Sequence, residues 1–381
     1  MMLRSFLPVG QGAFYIEQFK TQNQRINVVY DCGSSTSVFD IKQEIRSNFD
    51  KDEEILIVFI SHLHKDHVNG LEYLLNYCNV RNIVFPFTYT EDKILMSIEY
   101  LCSSKKHTPN DSTYRLIENP SEFIHRISPN TNIYSVVPDN EDINNNRREW
   151  NYQAEIDRVR ILNSGENVLH RIWNNNIIEI EQYWEYIPFN FKDYIKRDVF
   201  YDALSAKLDD KINNNNIKRY LFQWSNPKIQ KLFIEAYEEV NKELNVNSMT
   251  LFSGTKDIST RQRMVIPNNY ACKCCYPSRA NGCLYFGDYN SNGKLRWKEL
   301  KHSYEDYWDL IGCVQIPHHG SKNSYNHELA LMDAFHVVSA GKSNRFRHPH
   351  SVVIKDLLFE NKYPYIVTEE KSSEVIMKIN I

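Results

Sequence analysis

The chain reads Ile55-Leu56-Ile57-Val58-Phe59-Ile60 and then Ser61-His62-Leu63-His64-Lys65-Asp66-His67, and this stretch decides the fold. The apolar half is too continuous for a strand with one face in water, so we expect it in a sheet covered on both faces. Three imidazoles and one carboxylate follow within six residues, before a helix expected to begin near Val68. Donors of this kind and density suit Zn²⁺, Mn²⁺ or Fe²⁺. A cluster of surface histidines is the alternative, but a strand before and a helix after are the context of a metal loop.

The spacing of these donors indicates two neighbouring metal positions. His62 and His64 can point the same way from an extended turn, while Asp66 and His67 reach a second position. Two adjacent ions of this kind activate a bridging water and hold an ester that is being cleaved. The sequence therefore predicts a binuclear metal centre.

Composition limits the class of protein. The chain has 381 residues, 42% apolar and 24% charged, which predicts one large or two ordinary folded domains rather than a disordered chain. Lys plus Arg total 45 and Asp plus Glu 48, a net charge of −3, so only a local basic patch could attract nucleic acid. We find neither a secretory signal nor an apolar run of the ~18 residues that span a bilayer. Eight scattered cysteines fit reduced thiols, so we expect a soluble cytoplasmic protein that is not held at a membrane.

Alternating strand and helix patterns predict an α/β fold with two β-rich halves. Two such halves imply sheets packed face to face with helices outside, a four-layer arrangement. The expected strands are Ser5–Val9, Ala13–Phe19, Ile26–Tyr30, Ile55–Ile60, Asn82–Phe85, Met249–Phe252, Leu284–Phe286, Cys313–Ile316, Val337–Ser339, Tyr365–Val367 and Glu374–Ile379.

The interval from residue 140 to residue 245 differs in character. Runs of asparagine interrupt it, and its clearest element is a helix that Ser225 can cap. We therefore expect 1–139 to be the first half of the main domain, 140–245 a largely helical insertion at its periphery, and 246–381 the second half. For parts of the insertion, such as Ile177–Ile180, a core strand in a second domain is the alternative.

Four motifs in chain order resemble those of the metallo-β-lactamase fold superfamily. They are Asp31-Cys32-Gly33, the HxHxDH string His62–His67, Phe286-Gly287-Asp288, and Pro317-His318-His319-Gly320-Ser321. The resemblance implies a four-layer αββα fold and a centre for two divalent ions, Zn²⁺ before Mn²⁺ or Fe²⁺. It implies His62, His64 and His319 around one ion, Asp66 and His67 on the other, Asp288 between them, and Asp31 as the residue that orients the metal loop.

A narrower set of motifs is similar to the hydrolase domain of DNA-uptake competence channels (ComEC), and much of it to phosphorylcholine esterases. The set adds Val9-Gly10-Gln11-Gly12, Asn247-Ser248, Ser339-Ala340-Gly341, Asn344 and His348-Pro349-His350. The likeness covers residues 1–100 and 245–381, without the channel's membrane part.

Two departures from the family pattern stand out. The superfamily usually has a further histidine ligand between the first motif and Gly-Asp, whereas His107, His125 and His170 lie there outside any strand-end motif. His348 and His350 are candidate substitutes. Ala13 stands where the competence hydrolases have an acidic residue.

The resemblance implies a phosphodiesterase, with a nuclease as the leading form, that uses a metal-bridging hydroxide in prokaryotic DNA processing or defence. Asp66 would hold one metal and orient the water, while His318, with His348 or His350, would donate protons to the leaving oxygen or the phosphate. Arg345 and Arg347 could bind a phosphate through bidentate hydrogen bonds. The alternatives are a hydrolase of another class (lactamase, thioesterase or phosphorylcholine esterase) and a regulatory subunit of a multi-protein assembly, which fold alone does not separate.

Two kinds of partner fit the 140–245 interval. Its aromatic residues could bind a nucleic acid or nucleotide, or could form the core of a small subdomain, and the basic residues that would assist binding are Arg147, Arg148, Lys218 and Arg219. Acidic positions favour a protein partner instead: Glu235, Glu238 and Glu239.

Overall fold

A computed structural model of the chain describes residues 1–20, 25–88, 90–138, 158–159, 169–180, 184–191, 197–240, 248–255, 263–265 and 279–380. The strands in these ranges are β1 Met2–Phe6, β2 Gly12–Lys20, β3 Arg25–Ser34, β4 Glu54–Phe59, β5 Asn79–Pro86, β6 Asn132–Val137, β7 Arg158–Val159, β8 Leu169–Trp173, β9 Ile177–Ile180, β10 Trp184–Phe189, β11 Thr250–Thr255, β12 Arg263–Val265, β13 Arg279–Ala280, β14 Gly282–Tyr285, β15 Ile311–Gln315, β16 Phe335–Ser339, β17 Pro364–Val367 and β18 Val375–Ile379.

The helices in the same ranges are α1 Val38–Asn48, α2 Lys65–Val68, α3 Leu71–Tyr77, α4 Thr90–Cys102, α5 Ser112–Glu118, α6 Pro120–Ile127, α7 Arg197–Leu208, α8 Ile217–Leu221, α9 Pro227–Val240, α10 Lys294–Ser303, α11 Glu328–Leu331 and α12 Ser351–Phe359. Short 3₁₀ turns lie at Glu305–Leu310, His318–Gly320 and Lys371–Ser373. Among the described helices, none combines the length and the apolar character that crossing a bilayer requires.

The strands form two sheets. The order across the first is β13-β12-β18-β1-β2-β3-β4-β5-β6-β8, and across the second β17-β16-β15-β14-β11-β10-β9-β7. Neighbouring strands run parallel from β3 through β6 to β8 in the first sheet and from β14 to β17 in the second. The carboxyl ends of parallel strands meet at one edge, where ligand sites of α/β proteins form.

The strand predicted at 55–60 is confirmed as β4. Val58 of β4 pairs with Val29 of β3 and with Ile83 of β5. The strand ends at Phe59, so the histidine string follows directly from the carboxyl end of a central strand.

Alternate residues of β4 enter two hydrophobic clusters. Val58 packs in a cluster with helical residues such as Leu74 of α3, whereas Phe59 packs in a cluster that contains Tyr186 and Leu251 of the second sheet. A third cluster joins the second sheet to α10 and α12. The two sheets therefore share one cluster, and each sheet shares another with helices, as expected for a strand buried on both faces.

The interval 140–245 differs from the largely helical insertion that we predicted. β8 pairs with β6 in the first sheet, and β10 lies between β9 and β11 in the second. All six residues of β10 are buried, so this segment belongs to the sheets and not to their periphery. Burial on both faces removes the period-two pattern by which such a strand is recognised. The strand considered for Ile177–Ile180 is confirmed as β9, which lies in the second sheet beside β10.

Helices occupy the later part of that interval, where α7, α8 and α9 lie. The helix expected after Ser225 is confirmed as α9, which buries Phe233, Ala236, Tyr237 and Val240. These side chains enter the cluster that covers the first sheet. The division at 139/140 and 245/246 stays a prediction.

Candidate metal centre

The loops that carry the predicted donors meet between the two sheets. His62–His67 follow β4 of the first sheet, while Asp288 and His319 follow β14 and β15 of the second. Backbone hydrogen bonds join the loops: Met249 N donates to Ser61 O (2.8 Å), and His318 N donates to Gly287 O (2.9 Å). The centre thus depends on both sheets.

Three non-glycine residues at the centre, one at the end of β3 and two after β15, have left-handed backbone conformations. The φ values are 55° at Asp31, 48° at His318 and 55° at His319. Such conformations cost energy for side chains of this kind and concentrate at functional sites. Here they direct a carboxylate and two imidazoles toward one centre.

Asp31 holds the loop that follows β4. Its carboxylate accepts hydrogen bonds from Ser61 N, Ser61 Oγ and His67 Nδ1, each at 2.7 Å. Asp31 and His67 are both buried, at 0% and 1% exposure. The geometry is that of a carboxylate that fixes the orientation of a metal-ligating imidazole.

Gly33 lets the metal loop lie directly against β3. A methyl carbon on Gly33 would be 2.4 Å from His67 N and 2.5 Å from the carbonyl carbon of Asp66. Only glycine permits this approach, because backbone atoms cannot yield as a flexible side chain can.

Asp288 lies among the imidazoles. Its Oδ1 is 3.3 Å from His67 Nε2 and 3.8 Å from His319 Nε2, and its Oδ2 is 3.7 Å from His62 Nε2 and 3.6 Å from His318 Nε2. Asp66 Oδ2 is 3.3 Å from His319 Nε2. Two donor sets are close enough to share an ion: His62, His67 and Asp288, and Asp66, His67 and His319.

The hydrogen bonds of the imidazoles leave the inward nitrogens free. Nδ1 of His62 contacts Ser61 Oγ (3.0 Å), Nδ1 of His67 donates to Asp31, and Nδ1 of His319 donates to the carbonyl of Ser339 (2.9 Å). Nε2 of each of these histidines and Oδ1 of Asp288 are buried without a hydrogen-bond partner among the described residues. Buried polar atoms are rarely left unsatisfied, and nitrogen lone pairs facing a carboxylate require a positive charge between them. The donor set fits divalent cations of the zinc type.

The electrostatics of the centre favour such a charge. Burial opposes a charged imidazole, yet the carboxylates of Asp288 and Asp31 raise the pKa of His67 well above its usual value. Burial likewise opposes a charged carboxylate, yet His318, His67 and His319 hold the pKa of Asp288 well below its usual range. Burial keeps His62 neutral by lowering its pKa. Ionised carboxylates and a neutral imidazole are the forms that bind a metal.

The grouping of the donors corrects our prediction in two respects. His319 lies with Asp66 and His67, not with His62 and His64, and its Nε2 is 3.3 Å from Asp66 Oδ2. His64 is in neither close set: its Nε2 is 3.3 Å from Oε2 of Glu99 on α4. Although burial opposes it, Glu99 raises the pKa of His64 to about 9.

His318 and His348 border the cluster. Nδ1 of His318 contacts Ser324 Oγ at 3.2 Å, and the ring of His348 lies 5.6 Å from that of His318. Burial, together with His319 and His318, lowers the pKa of His348 to about 3. Gln11, in the turn between β1 and β2, contacts the loop that carries His348. Its Nε2 lies 3.5 Å from His348 Nδ1, and its Oε1 accepts a hydrogen bond from Gly341 N.

Other candidate residues lie outside the two donor sets. His350 accepts a hydrogen bond from Lys322 N at Nδ1, His107 Nδ1 donates to the Tyr100 carbonyl, and His125 Nε2 to the Thr131 carbonyl. Arg345 and Arg347 are exposed in the loop that carries His348. The side chain of His170, the basic pair Arg147 and Arg148, and Asn247 fall outside the described residues.

Sequence reasoning missed Glu99, and it left the role of Ser61 unassigned. Ser61 follows Ile60 just beyond the end of β4 and donates two hydrogen bonds to the Asp31 carboxylate. Its place between the strand and His62 could have indicated this role. Glu99 lies within a helix and has no motif around it, and only the packing of α4 brings it to His64.

Comparison with known proteins finds a family match over one segment of the chain. Residues 13–93, which include Asp31 and His62–His67, match the metallo-beta-lactamase superfamily. No curated protein sequence matches the chain. Among solved structures, the metallo-beta-lactamase fold protein YhfI from Bacillus subtilis is 7% identical over 100% of both chains, with a TM-score of 0.38.

Two metallo-beta-lactamases give lower scores. MEM-A1, a subclass B3 enzyme isolated from a soil metagenome library, is 10% identical over 81% of this chain and 76% of its own, with a TM-score of 0.28. MIM-1 from Novosphingobium pentaromativorans is 9% identical over 81% and 74%, also with a TM-score of 0.28. The segment 13–93 is what the chain has in common with this superfamily.

Proposed function

We propose that the chain is a metal-dependent hydrolase of phosphodiester bonds, with two divalent ions, Zn²⁺ first, at the donors described above. The observation that carries the proposal is the set of four buried donor atoms, His62 Nε2, His67 Nε2, His319 Nε2 and Asp288 Oδ1, that share one centre without hydrogen-bond partners among the described residues. Asp288 would lie between the ions, as its contacts with both donor sets suggest.

Bound divalent ions would lower the pKa of a water molecule and polarise the oxygens of an ester. The chain's own residues hold and orient this chemistry. Asp31 fixes His67 through Nδ1, and the Ser339 carbonyl fixes His319 in the same way. Asp66, whose Oδ2 lies 3.3 Å from His319 Nε2, would hold one ion and orient the attacking water. His318, 37% exposed, borders Asp288 from the open side and can donate a proton to a leaving oxygen.

The preference for a phosphodiester is supported by the loop that carries His348. Arg345 and Arg347 are exposed in this loop, and two guanidinium groups beside a metal centre suit a phosphate, which accepts bidentate hydrogen bonds. The reacting group of a thioester or a β-lactam is itself neutral, whereas that of a phosphodiester is an anion. This loop therefore favours a phosphodiesterase, with a nuclease as its leading form and DNA processing or defence in the cytoplasm as the setting.

The three hydrophobic clusters support a four-layer arrangement as part of this proposal. We assign nucleic-acid or protein contacts to the helices at 197–240, since the strands of the 140–245 interval belong to the sheets. Lys218 is exposed and offers a charge to a polymeric substrate, whereas Arg219 is engaged by Asp210 at 2.9 Å. Reversal of Lys218 to glutamate should weaken cleavage of DNA or RNA and spare a small diester, with Lys298→Glu, at an exposed position of α10 outside these helices, as the control.

The test of the activity combines metal analysis with a substrate series. Purified protein should carry at least one transition metal ion per chain and cleave bis-p-nitrophenyl phosphate together with DNA, RNA or cyclic nucleotides. Asp66→Asn and His64→Ala should abolish turnover while the protein stays folded, and His302→Ala, at an exposed helix position, should not. Unchanged turnover in Asp66→Asn refutes the mechanism, and cleavage of thioesters or lactams alone refutes the phosphodiester assignment.

A further inference from the structure

Glu99 connects the metal loop to a helix of the 140–245 interval. Its Oε2 lies 3.3 Å from Nε2 of His64, and its Oε1 accepts a hydrogen bond from the Tyr237 hydroxyl at 3.2 Å. Tyr237 lies on α9 and is 8% exposed. The side chains of Glu99 and His64 are 21% and 30% exposed. A chain of contacts therefore runs from α9 through α4 to the loop after β4.

The contact decides which nitrogen of His64 can face a metal. His62, His67 and His319 are held through Nδ1 and present Nε2 to the centre. His64 is held the other way, because Glu99 engages its Nε2. When Nε2 carries the hydrogen that Glu99 accepts, the lone pair of a neutral imidazole is on Nδ1.

We propose that Glu99 is a positioning residue that fixes His64 as an Nδ1 ligand, and that Tyr237 in turn fixes Glu99, so that α9 helps to set the metal affinity of the centre. The inference rests on the metal centre of the proposed function. Both carboxylate oxygens of Glu99 are engaged, one by His64 and one by Tyr237, which suits an orienting group rather than a metal ligand. A carboxylate on the far nitrogen of a ligating histidine fixes its tautomer and ring and raises its basicity.

The arrangement also gives the helices at 197–240 a role in metal binding that does not require substrate. α9 packs into the cluster that covers the first sheet, through Phe233 and Ala236, and this packing fixes the Tyr237 hydroxyl. A change in the position of α9 would therefore reach His64 through two hydrogen bonds. A partner that binds this helix would therefore alter metal occupancy.

The test measures metal binding by the full chain with Zn²⁺ in competition with a chromogenic chelator, and with Co²⁺ by visible absorption. Glu99→Ala should weaken Zn²⁺ binding roughly 10- to 100-fold, the usual effect of losing such a partner. Glu99→Gln, which keeps the shape and loses the charge, should fall between Glu99→Ala and the wild type. Tyr237→Phe should weaken binding roughly 2- to 10-fold, the equivalent of one hydrogen bond. The visible bands of bound Co²⁺ should shift in both Glu99 variants.

Matched controls remove similar groups away from the centre. Tyr100→Phe deletes a hydroxyl that bonds Asp111 at 2.8 Å on the same helix α4, and Glu72→Gln neutralises a carboxylate on α3 that Ser112 contacts. Both should bind Zn²⁺ and Co²⁺ as the wild type does. Since these readouts use the metal alone, they do not depend on the substrate.

The outcomes separate this inference from the proposed function. If the wild type binds Zn²⁺ and the Glu99 variants bind it equally well with unchanged Co²⁺ bands, the inference is overturned and the proposed function stands. If the wild type binds no metal, both are overturned. If Glu99→Ala does not fold, Glu99→Gln and Tyr237→Phe decide the matter, and wild-type affinity and spectra in both would overturn the inference.

Discussion

Replacement of Gly33 by alanine should weaken metal binding although Gly33 offers no donor atom. The added carbon would lie 2.4 Å from His67 N and 2.5 Å from the Asp66 carbonyl carbon, where ordinary contact begins at 3.4 Å. The loop must therefore retreat by about 1 Å, the difference between 3.4 and 2.4 Å, and it carries Asp66 and His67 with it. Metal–ligand distances tolerate only about ±0.2 Å.

The size of the effect follows from where the strain can be relieved. Overpacking of this kind costs about 1–3 kcal/mol. The metal-free loop can relax away from β3, whereas the metal-bound loop is held by its ligands, so most of the strain opposes binding. A difference of about 1–3 kcal/mol corresponds to a 5- to 150-fold loss of affinity.

The assay is Zn²⁺ competition with a chelator, with urea unfolding of the metal-free protein to confirm that the variant folds. Gly293→Ala is the matched control, since its added carbon would meet only the Arg296 side chain, at 3.5 Å or more. Gly293 has a φ of −71°, which alanine adopts without strain. Equal Zn²⁺ affinity in Gly33→Ala and the wild type would refute the argument that contact between β3 and the loop sets the donor geometry.

Three further predictions concern the surroundings of the centre. Asp31→Asn places an amide NH₂ group against at least one of three donors, so Zn²⁺ affinity should fall roughly 10- to 100-fold; an unchanged titration would contradict this role. Removal of metal by a chelator leaves four buried donor atoms unsatisfied, so the urea midpoint of unfolding should fall. Zn²⁺ at 100 times its Kd should restore about 2.7 kcal/mol of unfolding free energy. Identical midpoints with and without chelator would exclude a metal at these donors. Burial lowers the pKa of His336 to about 4 from its usual 6.5, so the unfolded chain binds more protons between these pH values and stability falls by roughly 3 kcal/mol as pH drops through that window. His336→Gln should remove that part of the pH dependence in urea unfolding, and parallel curves for variant and wild type would show that His336 is not its source.

The metal loop could be predicted because its signals are local. The apolar run of β4 and the donors directly after it are adjacent in the sequence, and a parallel strand buried on both faces leaves a continuous pattern. The resemblance predicted that Asp288 lies among these donors, and the structure places it 3.7 Å from His62 and 3.3 Å from His67.

Other features depend on tertiary packing and left no local signal. The position of His319 beside Asp66 depends on how the loop after β15 meets the loop after β4, which side-chain type does not reveal. Glu99 reaches His64 because α4 packs beside the loop. The strand β10 was missed because aromatic and aliphatic residues on both of its faces resemble the apolar positions of a helix.

The position of β1 has a consequence for synthesis of the protein. β1 pairs on one side with β2 and on the other with β18, with Met2 opposite Ile379. While the ribosome is producing the chain, β18 emerges long after β1 and β2, so one edge of β1 stays without its partner until β18 has been synthesised. An open strand edge can pair with other chains. Slow elongation or truncation before β18 should therefore favour aggregation of the nascent protein.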